Sequence, residues 1–276
     1  MSQCLNEKNH HLYEWIKKQL VDYAYSAEID EDAEMIIRVI QTSDPVNYNE
    51  ILNVSKAHNE KVFGRIGIKY IDYVGLLRGC YPHHATYNRT KLLRDMINEN
   101  YKGLVLYLDA DTIVQDENYD FHAHYSRMRE NHQVLWIAQD GPKDDLFIFN
   151  AGVFSVDLAS PLVRKIINIW DDIYGAYYSI EDYQEASSWD DIVNDQTALS
   201  LIFKAFYEKI PQSFTSHILF GCFQSHWKLG WSIADNVDNI FFSALRADAY
   251  GISGEEEMLK RIEAITKKLE ILNALS

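Results

Sequence analysis

Positive charge is in short supply. The 276-residue chain sets 26 Lys and Arg against 41 Asp and Glu, a formal net charge of −15. That deficit argues against binding a nucleic-acid polymer, which needs a cationic surface to displace counterions. It leaves a single nucleotide open, because a bound metal ion can reverse the local sign. Cysteine is scarce as well. Cys4, Cys80 and Cys222 lie far apart with no Cys-x-x-Cys spacing, which reads as free thiols in a reducing compartment. Long apolar runs are missing too. Met1 to Lys8 lacks the apolar core of a secretion signal, and no later stretch is long enough to span a bilayer, so the expectation is a soluble, cytoplasmic protein without a transmembrane segment. No repeat, low-complexity tract or Pro/Gly-rich linker divides the chain, and one domain is expected.

What is present is ample core material. Hydrophobic residues make up 47% and aromatics 13%, which excludes general disorder. The stretch on which the rest turns is Lys102-Gly-Leu-Val-Leu-Tyr-Leu-Asp-Ala-Asp-Thr-Ile-Val114. An apolar run from Leu104 to Leu108 fits a strand buried on both faces of a parallel sheet. It ends in Asp109 and Asp111, where open α/β sheets bind ligands, just past the strand's carboxyl end. Two acids there repel each other and lose hydration, so a positive partner must compensate. A divalent cation, Mn²⁺ or Mg²⁺, carrying the diphosphate of a nucleotide is the simplest one, since such ions favour carboxylate, water and phosphate oxygens.

Around this stretch the chain alternates strands and helices. His10 to Ala27 has helix-like spacing, either a helix packed on the domain edge or an arm for a partner such as a second copy. Met35 to Ile40 reads as the first strand and is followed by Gln41-Thr-Ser-Asp44, whose hydroxyls, Thr42 and Ser43, can bond a base or ribose or simply cap a turn. A helix over 48–63 and a strand over 70–74 complete a βαβ unit. The helix from Thr86 to Met96 carries Lys91, which can reach a phosphate or remain in solvent. Further strands are expected at Val134–Ala138 and Phe147–Val156. In the second, Asn150-Ala151-Gly152 interrupts the apolar run, a sign of close backbone approach. Pro161 starts a helix whose stripe of Leu162, Ile166, Ile169, Trp170 and Ile173 is core. Asn194 can cap a helix whose first turn holds Asp195 and Gln196, with Leu199, Ile202 and Phe203 buried behind them. Residues 210–223 look extended, and an amphipathic helix closes the chain over about 255–272.

Taken in order, these pieces resemble a glycosyltransferase of the GT-A fold: a first strand ending in small polar residues, Asp109-Ala110-Asp111, Asn150-Ala-Gly152-Val-Phe, and Asn194-Asp-Gln196-Thr-Ala-Leu. The segment from Ser55-Lys56 through Thr90-Lys91-Leu to Asp109 resembles fungal α-galactosyl- and α-mannosyltransferases and plant xyloglucan xylosyltransferases. Glycogenin-like transferases share the acidic pair, the Asn-Ala-Gly element and the Asp-Gln. The resemblance implies an α/β, Rossmann-like, mostly parallel central sheet flanked by helices. It implies a metal-dependent, retaining transfer of a sugar from a nucleotide-diphosphate sugar, UDP by default, to a carbohydrate or other hydroxyl acceptor. Asp111 would coordinate the metal, Asp109 would meet ribose or a metal-bound water, and Ala110 would belong to the same donor cradle. Asn150, Ala151 and Gly152 would line the sugar pocket, and Asp195 and Gln196 would lie beside the anomeric carbon. The relatives supply a third metal ligand from a C-terminal His element. Here the nearest text is His226-Trp-Lys-Leu-Gly-Trp231, which makes His226 the first candidate, His217 the second, and Lys228 a candidate for neutralising the diphosphate. Two rivals remain at this stage. One is a catalytically silent nucleotide-sugar binder. The other is a sugar-phosphate nucleotidyltransferase, which needs a Gly-rich cationic loop that Gln41-Thr-Ser-Asp-Pro-Val does not offer.

Overall fold

The computed structural model describes residues 7–24, 29–30, 33–139, 149–189, 191–209, 220–223, 234–237, 240–244 and 255–275. Its centre is a six-stranded sheet built from β1 (Ile37–Ser43), β2 (Lys69–Val74), β3 (Leu104–Asp109), β5 (Leu135–Gln139), β6 (Phe149–Asp157) and β7 (Phe220–Phe223), in the spatial order β2-β1-β3-β6-β5-β7. β1 runs parallel to both β2 and β3, and β5 runs parallel to β7. Only β6 runs the other way, antiparallel to β3 and β5. This is the α/β, GT-A (Rossmann-like), mostly parallel sheet flanked by helices. β3 is apolar from Leu104 to Leu108 because both its faces are covered: Val105 and Tyr107 face one core cluster, Leu104, Leu106 and Leu108 the other.

Each helix is placed by its apolar stripe and, in several cases, by a cap. α2 (Asn49–Arg65) buries Ile51, Leu52, Val62 and Phe63. α3 (Asn88–Asn98) follows a 3₁₀ turn over 82–87. Asp120 accepts the Ala123 N–H at the start of α4 (Phe121–Glu130). Ser160 accepts the Val163 N–H at α5 (Pro161–Asp172), with Pro161 in the first turn as its fixed φ favours. α6 (Ile180–Glu185) is short, and α7 (Asp195–Lys209) begins at the expected Asn194, whose side chain accepts the Thr197 N–H at 2.8 Å.

Three departures from the sequence expectation stand out. α1 covers Glu7–Gln19 and stops well short of Ala27, because the Leu20 and Val21 carbonyls turn aside to accept the Lys209 ammonium at the end of α7. Its apolar residues Leu12, Tyr13 and Ile16, with Leu20 just beyond its end, are consumed by the chain's own core. The first strand starts later, at Ile37, and continues through Thr42 and Ser43, so those hydroxyls belong to the strand itself. Unforeseen altogether is a second, three-stranded sheet. In it β4 (Thr112–Val114), directly after the acidic pair, joins β9 (Phe241–Ala244), which joins β8 (Ala234–Val237). The closing helix α8 (Glu255–Leu275) packs on α2 and β9 through Ile265, Ile262 and Met258, bringing the end of the chain beside the acidic pair. No helix among the described residues is long and apolar enough to cross a membrane.

Candidate active site

The turn between β3 and β4 carries Asp109 and Asp111, and buried amides hold its backbone. Gln41, fully buried on β1, donates from Nε2 to the carbonyls of Asp109 (2.7 Å) and Thr112 (3.0 Å). Asn59 on α2 donates to the Thr112 carbonyl (2.8 Å) and to Gln41 Oε1 (3.0 Å), and accepts the Val114 N–H (2.9 Å). Ser55, one turn earlier, donates to the Ala110 carbonyl. A buried carbonyl without a partner costs about 1–3 kcal/mol, so these bonds define the turn. Sequence reasoning took Gln41 only as part of a polar strand end and missed Asn59. The available signal was a polar residue inside a buried apolar strand, and Ser55 and Asn59 at i, i+4 on one helix face.

The positive partners that the acids require are two buried arginines. Arg89, in the first turn of α3 and 4% exposed, donates Nη2 to Asp109 Oδ1 at 2.9 Å and Nη1 to the Ala151 carbonyl on β6. Its Nε lies 3.2 Å from Asp195 Oδ2 at the start of α7, while the Nε–H itself points to the Thr86 carbonyl at 3.1 Å. The guanidinium also rests 4.5 Å above the Tyr107 ring, whose hydroxyl meets Thr42 Oγ1 at 2.9 Å. On the other side Arg261, from α8 and equally buried, donates Nη1 to Asp111 Oδ2 at 2.7 Å and Nη2 to Glu257 at 2.8 Å. Each acid of the pair is thus joined through one arginine to a further acid: Asp109–Arg89–Asp195 and Asp111–Arg261–Glu257.

Burial works against the Arg89 charge, but Asp109 and Asp195 more than offset it and its pKa is raised. Burial likewise raises Asp195 against the pull of Arg89, and raises Asp111 against the pull of Arg261. Asp109 is the open member, with 39% of its side chain exposed against 11% for Asp111.

The remaining predicted positions divide into those at this point and those elsewhere. Thr42 pairs with Asp109 across the β1–β3 register, and Ser43 beside it keeps a buried hydroxyl without a hydrogen-bond partner among the described residues. Gly152 lies against the acid pair. A Cβ there would sit 2.7 Å from Asp109 Oδ2 and 2.8 Å from Asn150 Oδ1, so any larger residue would have to displace those side chains. Asn150 Oδ1 accepts the Gly152 N–H at 2.7 Å, and Gln196 Oε1 accepts the Ala151 N–H at 3.3 Å, so the Asn-Ala-Gly element and the Asp-Gln helix start meet. Ala110 turns its side chain into the small core with Ile51, Leu52 and Phe242. Lys91 is paired with Asp95 one turn along its own helix, and the cation at the acids is Arg89, two residues earlier. His217, His226 and Lys228 lie outside the described residues.

Does this arrangement suit a divalent cation? The four carboxyl groups of the two acid–arginine–acid chains set against two guanidiniums leave a formal excess of two negative charges, which a divalent ion would balance. The donors are oxygen only, as Mg²⁺ or Mn²⁺ favours, and such ions are held by one or two protein carboxylates plus phosphate and water. No three His, Cys, Asp or Glu side chains among the described residues converge as a metal-holding group. Asp109 can take the ion directly, whereas Asp111 would have to share its carboxylate with Arg261.

Comparison with solved structures establishes the fold. A glycosyltransferase involved in the glycosylation of the major capsid of PBCV-1 superimposes with a TM-score of 0.53 over 84% of this chain and 99% of its own, at 14% identity. A Bacillus anthracis protein described as a glucose-1-phosphate thymidylyltransferase, crystallised with sucrose, covers 83% of this chain and 95% of its own. Its 7% identity and TM-score of 0.37 are too low to carry an argument. No protein-family model matches the chain, and no curated protein matches it in sequence. The chain therefore shares the fold of a glycosyltransferase, and the chemistry has to be argued from the site.

Proposed function

We propose that this chain is a glycosyltransferase that moves a sugar from a nucleotide-diphosphate sugar, UDP by default, to a hydroxyl acceptor with retention of anomeric configuration. One observation carries the reading. At the carboxyl end of β3, a part-exposed carboxylate packs against the Gly152 backbone and is tied by one buried arginine to the acid that starts α7. Substrates of open α/β sheets enter at this edge.

Breaking the sugar–phosphate bond builds negative charge on the diphosphate and positive charge on the sugar ring. A divalent cation, Mn²⁺ or Mg²⁺, would be held by Asp109 and Asp111 and would supply Lewis-acid stabilisation of the departing diphosphate. His226 and Lys228 stay candidates for a third ligand and a phosphate partner. The chain's own residues do the rest. Arg89 fixes the separation between the donor-side acid, Asp109, and the sugar-side acid, Asp195, so neither has to reorganise as charge develops. Asp195, 3% exposed, opposes the ring's positive charge where water screens little. Its commitment to Arg89 makes it a poor nucleophile, which favours departure and attack on the same face over a covalent adduct. Gln196 and Asn150, both half-buried, would orient the sugar and acceptor hydroxyls, and the Ser43 hydroxyl, without a partner among the described residues, suits the ribose or base.

The test is a thermal-shift panel of nucleotide sugars with Mn²⁺ on the wild type and Asp111→Ala, followed by incubation of the best donor. The expected result is a nucleotide-dependent rise in Tm that the substitution abolishes, together with Mn²⁺-dependent release of sugar. Protection without any sugar release would identify a silent binder instead, and an undiminished shift in the variant would reject this site. Anomeric configuration in the product, read by NMR, decides retention.

A further inference from the structure

Arg261 reaches the acidic pair from a helix that does not need it for anchorage. α8 is held by Ile265, fully buried, and by Met258, Ile262, Leu269 and Leu272 against Ile51, Leu52, Ile113, Phe242 and Ala244. Into this apolar contact the helix inserts a guanidinium that is 3% exposed, 5.3 Å from the Tyr48 ring, with its Nε–H lacking a hydrogen-bond partner among the described residues. A buried ion pair of this kind adds little net stability over apolar residues of the same volume. Its position explains it better: Nη1 lies on Asp111 Oδ2 at 2.7 Å, and its second arm on Glu257 gives it a place to withdraw along its own helix.

We infer that Arg261 is a built-in competitor for the cation at Asp111, so that the N-terminal turns of α8 and the metal–donor complex contend for one carboxylate. This rests on the proposed cation role of Asp109 and Asp111. A fixed positive charge on a ligand oxygen repels a bare divalent ion. A diphosphate arriving with the ion brings the negative charge that outweighs it. The site therefore takes metal weakly alone and firmly with nucleotide, which delays loading until the donor is present. By reciprocity, loading loosens the grip of Arg261 on Asp111.

The experiment is Mn²⁺ binding to the full chain, followed by EPR of the free ion, with and without UDP and with no turnover. Arg261→Met frees Asp111, and is expected to tighten Mn²⁺ alone by about tenfold and to shrink the gain that UDP brings. Glu257→Gln removes the place of withdrawal and one negative charge, and is expected to weaken Mn²⁺. It also tests the inference if Arg261→Met does not fold. Unchanged or weaker Mn²⁺ binding in Arg261→Met overturns the inference while the cation site stands, as does wild-type affinity in Glu257→Gln. Wild-type Mn²⁺ binding that is absent, or insensitive to Asp111→Asn, overturns the cation reading and this inference with it.

Discussion

Asp109 and Asp111 stand one residue apart and meet their surroundings in opposite ways. Asp109 ends a strand of the main sheet, is open to solvent on one side, and is clasped by an arginine from the neighbouring βα unit. Asp111 opens onto the small sheet, is nearly enclosed, and is matched by an arginine at the far end of the chain. The difference separates two jobs that the bare spacing leaves merged. The open acid can meet an incoming ion without giving up its partner, because Arg89 holds only Oδ1. The closed acid must exchange one partner for another. Arg261 and Arg89 pull Asp111 and Asp195 down against a burial that raises both carboxyls above their ordinary range.

Five substitutions test that contrast. The largest effect is expected from Arg89→Met, which strands Asp195 in the interior without its counter-charge. Removing one partner of a buried pair costs about 3–5 kcal/mol, to be read from urea denaturation. Next come Asp109→Asn and Asp111→Asn, each expected to lower the transfer rate by about 10²–10³ as one preorganised electrostatic contact is lost, measured as kcat/KM for donor turnover. Equal Mn²⁺ dependence in the two variants would erase the distinction between an open and a closed acid. Gly152→Ala drives a methyl against the Asp109 carboxylate, and overpacking of this sort costs about 1–3 kcal/mol. Because Asp109 Oδ2 is the atom that must give way, activity should fall by more than the change in Tm alone accounts for. The smallest is Asn194→Ala, which removes the cap at the start of α7 for about 1 kcal/mol, with Asp195 and Gln196 left at a frayed helix end. Its signature is a modest drop in Tm with a raised KM for donor.

Much of the site was legible because its signals are local. Asn194 followed by Asp195 and Gln196 specifies a helix start through one side chain and the next few N–H groups. A glycine inside an apolar strand reports a close approach wherever the strand lies. The parallel pairing of β1 with β2 followed from the strand–helix–strand rhythm, and the resemblance supplied the mostly parallel sheet and the order of the motifs. The reversed strand β6 was not legible, since a strand buried on both faces has the same apolar composition in either direction. Lys91 drew notice for its charge and helix position, yet Arg89 faces the acids. A shift of two residues around a helix turns a side chain by more than half the circumference.

By itself the amino-acid sequence determined the strand that ends in two acids, the capped helix that follows the Asn-Ala-Gly element, and the apolar stripes that cover the sheet. All of these depend on neighbours within a few residues. Only the tertiary structure decided how the acids are balanced. Arg261 lies 150 positions from Asp111, and on an amphipathic helix it reads as a solvated face. Packing of α8 on α2 and β9 is what removes that guanidinium from water, and a charge removed from water must find its opposite.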